Sequence, residues 1–266
     1  MEIEVSPGKV RAMAAEFGDR KPYGYASVGR LFDPALISGI ANEVGNHLDR
    51  IPRETDFYAS NRKYRLSALG DMPEQTRDFI ACLNSPAFLD VLSGISGIGN
   101  LHPDPELRGG GIHAIGRGGY LKVHTDFNWH GGLSMHRRLN LLVYLNEAWQ
   151  DDWNGSIELW SADAKRRIFS MSPDIGNALL FETNDVSYHG HPDPLRCPEG
   201  TFRKSIALYY YTPTRPDAGV LFGKTRMTNF VERPSETFKN DKIRRIRHKV
   251  QMHAKRIIHS LKRRPG

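Results

Sequence analysis

The sequence predicts an α+β protein with a jelly-roll core, flanking N-terminal helices and a basic C-terminal helix. Three observations carry this. From Gly109 onward, short apolar runs recur between turn signals: Gly111–Ile115, Tyr120–His124, Leu139–Leu145, Ser156–Trp160, Arg167–Met171, Ala178–Glu182 and Ser205–Tyr211. Short strands at that spacing suit a sandwich or barrel better than alternating βα units, and a double-sheet jelly roll fits their number. Ahead of them lie helical patterns with start signals, and behind them an apolar stripe runs through a strongly basic segment.

The N-terminal elements follow from caps and periodicity. Residues 1–30 are broken by Gly and Pro and predict no element. Asp33-Pro34 reads as an N-cap with proline at the first helical position, and Leu36, Ile37, Ile40, Val44 and Leu48 give an amphipathic helix over about 34–49. A polar connection runs through Tyr58 to Tyr64. A second helix is expected over Glu74–Leu83, and Ser85-Pro86 opens a third with Phe88, Leu89, Val91 and Leu92 on its apolar side. Residues 1–107 thus form a helical support region, 108–212 the core, and 213–266 a loop followed by a helix over Asn240–Leu261.

Composition sets outer limits. With 266 residues, 39% hydrophobic and 25% charged, the chain is ordinary for a globular protein and long enough to bury a core without staples. Cys82 and Cys197 are its two cysteines, which excludes a disulfide framework or a cysteine-based zinc site. No apolar run approaches the ~20 residues of a membrane span, and the first residues lack the pattern of a secretory leader. A soluble, cytoplasmic location is expected. The net charge of +7 is uneven: residues 239–266 carry eleven Lys and Arg against one Asp, which leaves the rest slightly acidic. A basic amphipathic helix there could dock on the domain or a protein partner, or place the protein at an anionic membrane surface. Nucleic acid is disfavoured, because no aromatic interleaving or recognition module accompanies the charge.

The chemistry begins at Tyr120-Leu121-Lys122-Val123-His124-Thr125-Asp126. Residues two apart share a strand face, so His124 and Asp126 can converge on one ion. Alone, such a pair is a weak signal. Downstream, Tyr188-His189-Gly190-His191-Pro192 offers a histidine at a strand end, with His191 competing with His189. Then Arg203-Lys204-Ser205 opens the last strand, with Lys204 competing with Arg203. His113, His130 and His136 read as loop or surface histidines. Tyr209, Tyr210 and Tyr211 read as strand packing.

In order and spacing, His-x-Asp, a histidine 63 positions on and Arg-x-Ser 14 positions after it resemble the Fe(II)- and 2-oxoglutarate-dependent dioxygenases. The prolyl-4-hydroxylase-like branch is nearest, through Tyr-Leu-Lys-Val-His-Thr-Asp, Leu-Leu-Val-Tyr-Leu-Asn and Arg-Lys-Ser-Ile-Ala-Leu-Tyr-Tyr-Tyr-Thr. The resemblance covers about residues 108–212 and implies a double-stranded β-helix core. It implies His124, Asp126 and His189 as ligands of Fe(II), with positions left for a 2-oxo acid and dioxygen. Arg203, Ser205 and Tyr144 would hold the distal carboxylate of 2-oxoglutarate, with Asn140 a looser candidate on the same face. Ascorbate is a conceivable accessory. Related halogenases replace the carboxylate with a small residue, so Asp126 implies hydroxylation. The substrate class stays open between small molecules, such as biosynthetic intermediates, and amino acids or peptides. A second reading is a jelly-roll binding or scaffold protein without turnover, against which the full residue set argues. A third is a zinc-loaded or cupin-like enzyme, which would leave Arg-x-Ser unexplained.

Overall fold

The computed structural model describes residues 3, 5–55, 59–215 and 227–234. The basic segment 239–266, with the helix expected at Asn240–Leu261, lies outside the described residues. Four helices precede the core: α1 (Pro7–Asp19), α2 (Pro34–Gly45), α3 (Glu74–Leu83) and α4 (Pro86–Ser96). Helices α2 and α4 start as the sequence signals require: Asp33 Oδ1 accepts from the Leu36 amide at 2.9 Å and Ser85 Oγ from the Phe88 amide at 3.3 Å, each with proline following. Helix α1 is an addition, capped by Ser6 and followed by Pro7 in the stretch where no element was expected. Helix α3 has no side-chain cap of its own; Glu43 of α2 accepts from the Gln75 and Thr76 amides at 3.0 and 2.8 Å.

The strands are β1 (Tyr25–Ser27), β2 (Ser60–Leu66), β3 (His102–Pro103), β4 (Gly111–Thr125), β5 (Trp129–His130), β6 (Met135–Tyr144), β7 (Ile157–Trp160), β8 (Arg167–Met171), β9 (Ala178–Glu182), β10 (His189–His191), β11 (Phe202–Thr212) and β12 (Asn229–Phe230). They form one curled antiparallel sheet in the order β1-β9-β6-β11-β4-β10-β7-β8, with β2 and β12 also on β4, β3 on β11 and β5 on β6. This is the jelly-roll core. Strands β1, β2 and β3 of residues 1–107 belong to it, so that region is more than helical support.

Strand β4 joins the two walls. Its first part pairs with β11 and its last part with β10. The two runs expected on either side of Gly116–Gly119 are this one strand, bent at the glycines. Gly118 takes φ +75°, and a side chain on Gly119 would collide with Ile115 Cγ2 and meet the Asn61 carbonyl oxygen at 2.8 Å. The glycines therefore bend the strand rather than end it.

Alternation sorts the two faces. Leu139, Leu141 and Val143 of β6, with Ile206, Leu208 and Tyr210 of β11, pack against Ile37, Ile40, Phe79, Leu83, Phe88 and Leu92 of the helices in one buried cluster. The opposite face, carrying Asn140, Leu142 and Tyr144 of β6 and Arg203, Ser205 and Ala207 of β11, lines the inside of the curl. Among the described residues no single helix is long and apolar enough to cross a membrane.

Candidate metal centre

His124 is the next-to-last residue of β4, Asp126 follows it by two residues, and His189 opens β10 directly opposite His124. Their ligand atoms lie within 4.8 Å of one another. His124 Nε2 is 3.5 Å from Asp126 Oδ1 and His189 Nε2 is 3.4 Å from Asp126 Oδ2; the imidazoles stand 4.4 Å apart between centroids. Each ring's other nitrogen faces a carbonyl: His124 Nδ1 donates to Lys122 O at 2.8 Å, and His189 Nδ1 to Ser187 O at 2.9 Å. A carbonyl can only accept, so the protons sit on Nδ1 and both Nε2 lone pairs face the carboxylate. Two lone pairs and an anion gathered in a buried place call for a cation, and this donor set suits Fe(II).

Electrostatics hold the site ready for that charge. Arg137 Nη2 donates to Asp126 Oδ2 at 2.8 Å, and its guanidinium carbon lies 3.4 Å from the Tyr209 ring centre and 4.6 Å from that of Phe127. Burial works against the Asp126 carboxylate, but Arg137, His189 and His124 outweigh it and hold its pKa below the usual carboxylate range. Burial and the neighbouring His124 push His189 down to about 4, which keeps its Nε2 unprotonated. Sequence parity hides Arg137. It would share a face with Leu139, but the β6–β11 register shifts between Tyr210 and Tyr211 and turns Arg137 inward.

A second polar cluster lies along β11. Arg203, 4% exposed, donates through Nε to the Gly155 carbonyl at 2.6 Å and through Nη2 to the Tyr144 hydroxyl at 3.2 Å. No carboxylate pairs with it among the described residues. Lys204, its competitor, is on the other face, where its backbone bonds to Asn146 and the Glu147 carboxylate offsets part of the burial of its ammonium. Ser205 is 2% exposed and sits in register between Tyr144 and His113, which is itself opposite Arg65. The row Arg65–His113–Ser205–Tyr144 therefore crosses four strands on one face.

Of the expected site residues, the structure brings His124, Asp126 and His189 together at one end and Arg203, Tyr144 and Ser205 at the other. Asn140, expected near Tyr144, lies instead at the metal end, its Nδ2 3.4 Å from Asp126 Oδ2. Four residues of extended strand separate the two side chains by about 13 Å, too far to share one carboxylate. His113 and His130 are not surface histidines. His113 Nε2 donates to Gly109 O at 3.1 Å inside the curl, while His130, 2% exposed, lies 3.3 Å from Asp104 and edge-on to Tyr211. His191 stays outside the ligand cluster.

A jelly roll that gathers two histidines and a carboxylate offers a candidate site for one non-haem metal ion. Residues 110–211 match the family model of the 2OG-Fe(II) oxygenase superfamily. It is 26% identical over 221 residues to the Mus musculus prolyl 3-hydroxylase OGFOD1, an alignment covering 77% of this chain and 38% of that protein. The chain thus matches well under half the length of this relative. Among solved structures it is similar to a Trichoplax adhaerens prolyl hydroxylase in complex with a hypoxia inducible factor peptide fragment (TM-score 0.56, 18% identity, 77% of this chain and 90% of that one). It is also similar to a Pseudomonas putida prolyl-4-hydroxylase (TM-score 0.53, 16% identity, 75% and 98%).

Proposed function

We propose that the protein is an Fe(II)- and 2-oxoglutarate-dependent hydroxylase whose substrate carries an aliphatic C–H bond, with peptidyl proline the first class to test. The observation that carries this reading is the pairing of a three-ligand site with a buried, carboxylate-free Arg203 on the same inner face. His124, Asp126 and His189 would hold iron. When bound, iron(II) supplies the reaction of dioxygen with the 2-oxo acid, which is decarboxylated to succinate and carbon dioxide as one oxygen atom enters the substrate.

The chain's own residues do the positioning. The Lys122 and Ser187 carbonyls fix both imidazoles in the tautomer that offers Nε2. Arg137 and Asn140 fix the Asp126 carboxylate. Arg203 and the Tyr144 hydroxyl, with Ser205 beside them, would bind the distal carboxylate of 2-oxoglutarate, since a buried guanidinium without a carboxylate partner favours an anionic ligand. Tyr144 packs with Ile157 and Leu179 in an apolar cluster that continues to Leu159 and Phe181 beside His189, so one apolar wall runs between the two ends. Prolyl peptides lead the substrate panel because OGFOD1 and both structural neighbours are prolyl hydroxylases by name, and small biosynthetic intermediates complete it.

The test is succinate release from 2-oxoglutarate by protein loaded anaerobically with iron and then exposed to air. Turnover is expected in the native chain and lost in His189→Ala and Arg203→Leu. Absence of succinate across the panel, together with no visible absorption band when 2-oxoglutarate meets the Fe(II) form, would overturn the reading.

A further inference from the structure

His191 has no part in the metal cluster, yet it is built into the same cavity wall. It lies two residues beyond His189 on β10, with Leu121 opposite it; the register shifts between the two histidines, but the extra residue falls on β4, so β10 keeps its alternation and His191 shares the face of His189. The side chain is 3% exposed, and neither ring nitrogen has a hydrogen-bond partner. Burying an imidazole with both nitrogens unmatched is costly, and such a group in a cavity points to something that occupies it. From His191 the chain runs on to Leu195, which adjoins Arg203: a side chain on Gly155 would meet Leu195 Cδ2 at 2.7 Å and Arg203 Cδ at 3.1 Å. His191 therefore lies on the segment that leads from the metal ligand His189 toward the Arg203 end. Gly190 fixes this placement, because a side chain there would meet the Leu121 and Lys122 carbonyl oxygens at 2.8 and 2.9 Å. Strand β10 can therefore press directly on β4 and hold both histidines inward.

We infer that His191 is a further co-substrate-binding residue, its ring N–H donating to the distal carboxylate of the 2-oxo acid held by Arg203 and Tyr144. The inference rests on the proposed function. A dicarboxylate stretched from the metal toward Arg203 passes this ring, and its terminal oxygens have more acceptor sites than Arg203 and Tyr144 fill. The aliphatic wall that would suffice for the methylene groups is here replaced by a hydrogen-bonding one. The consequence is selectivity for a 2-oxo acid with a charged far end.

The experiment measures binding without turnover. The full chain is loaded with Mn(II), kept anaerobic and titrated by calorimetry with 2-oxoglutarate and with 2-oxopentanoate, which has the same length but no distal carboxylate. His191→Leu is expected to weaken 2-oxoglutarate by about tenfold, the contribution of one charge-assisted hydrogen bond, and to leave 2-oxopentanoate unchanged. His191→Asn, which keeps a donor, should recover much of the loss, and His191→Phe, which keeps a ring but no donor, serves as the test variant if the leucine variant fails to fold. Equal 2-oxoglutarate affinity in native and variant proteins of matched manganese content would overturn the inference, as would an equal weakening of both acids. A native protein that binds neither acid would instead remove the proposed function.

Discussion

At the scale of single residues, the site is a problem of uncompensated charge. Arg137 supplies the nearest positive charge to Asp126 while the metal is away, and it is 1% exposed, so its removal strands a buried carboxylate. Arg137→Leu should cost the metal-free protein about 3 kcal/mol, the usual penalty for breaking a buried ion pair from one side. A divalent cation replaces the lost charge, so Mn(II) should raise the melting temperature of the variant by more than that of the native chain. Thermal unfolding with and without metal checks both. His189 adds a pH dependence. Its pKa falls from 6.5 in the unfolded chain to about 4 in the fold, so between those values the unfolded state binds more protons. The stability of the metal-free protein from this source is complete above pH 6.5 and is lost as the pH falls toward 4. Denaturant unfolding of metal-free native protein and His189→Gln across that range reads it, the variant showing the shallower fall.

At the scale of elements, the ligands depend on how β10 and β4 touch. Gly190 allows contact at a distance no Cβ tolerates. Gly190→Ala should push the strands apart at the position that sets His189 against His124, costing about 1–3 kcal/mol in stability, a typical cost of overpacking. Metal affinity, followed by chelator competition, should fall with it. By contrast, Asp33→Ala touches only the start of α2 and should cost about 1 kcal/mol, the usual worth of an N-cap, with metal affinity intact. The pair of variants separates local strand geometry from general stability.

At the scale of the molecule, helices and site are on opposite faces of one sheet. Phe79 and Leu83 are wholly buried where α3 meets the outer faces of β6 and β11. Phe79→Ala should destabilise by about 3–5 kcal/mol, the range for deleting a buried aromatic ring, and lower the melting temperature of metal-free and metal-loaded protein alike. The C-terminal side also reaches the site: Phe230 of β12 lies 5.1 Å from the His124 ring, and Arg233 pairs with Asp193 just past β10 at 2.8 Å. Beyond it, eleven Lys and Arg against one Asp in 239–266 predict salt-sensitive binding to anionic vesicles, lost on truncation after Phe238. Co-sedimentation that is equal for the full and truncated chains would remove that expectation.

Much of this was legible without coordinates, and the reason is local. Helix caps at Asp33 and Ser85 and the period-2 strands after Gly109 depend on neighbours in the chain, so the sequence determined the jelly-roll class; the ligand set was legible through the resemblance of the His-x-Asp, His, Arg-x-Ser order to a known family. What tertiary structure decided is register. A shift near Arg138 turned Arg137 inward, a glycine bend made one strand of two and linked both walls, and a glutamate on α2 capped α3. Four residues of strand moved Asn140 from the carboxylate end to the metal end. Whether His191 faces a ligand or the solvent depends on the pairing of β10 with β4, a contact between residues about seventy positions apart that no local pattern encodes.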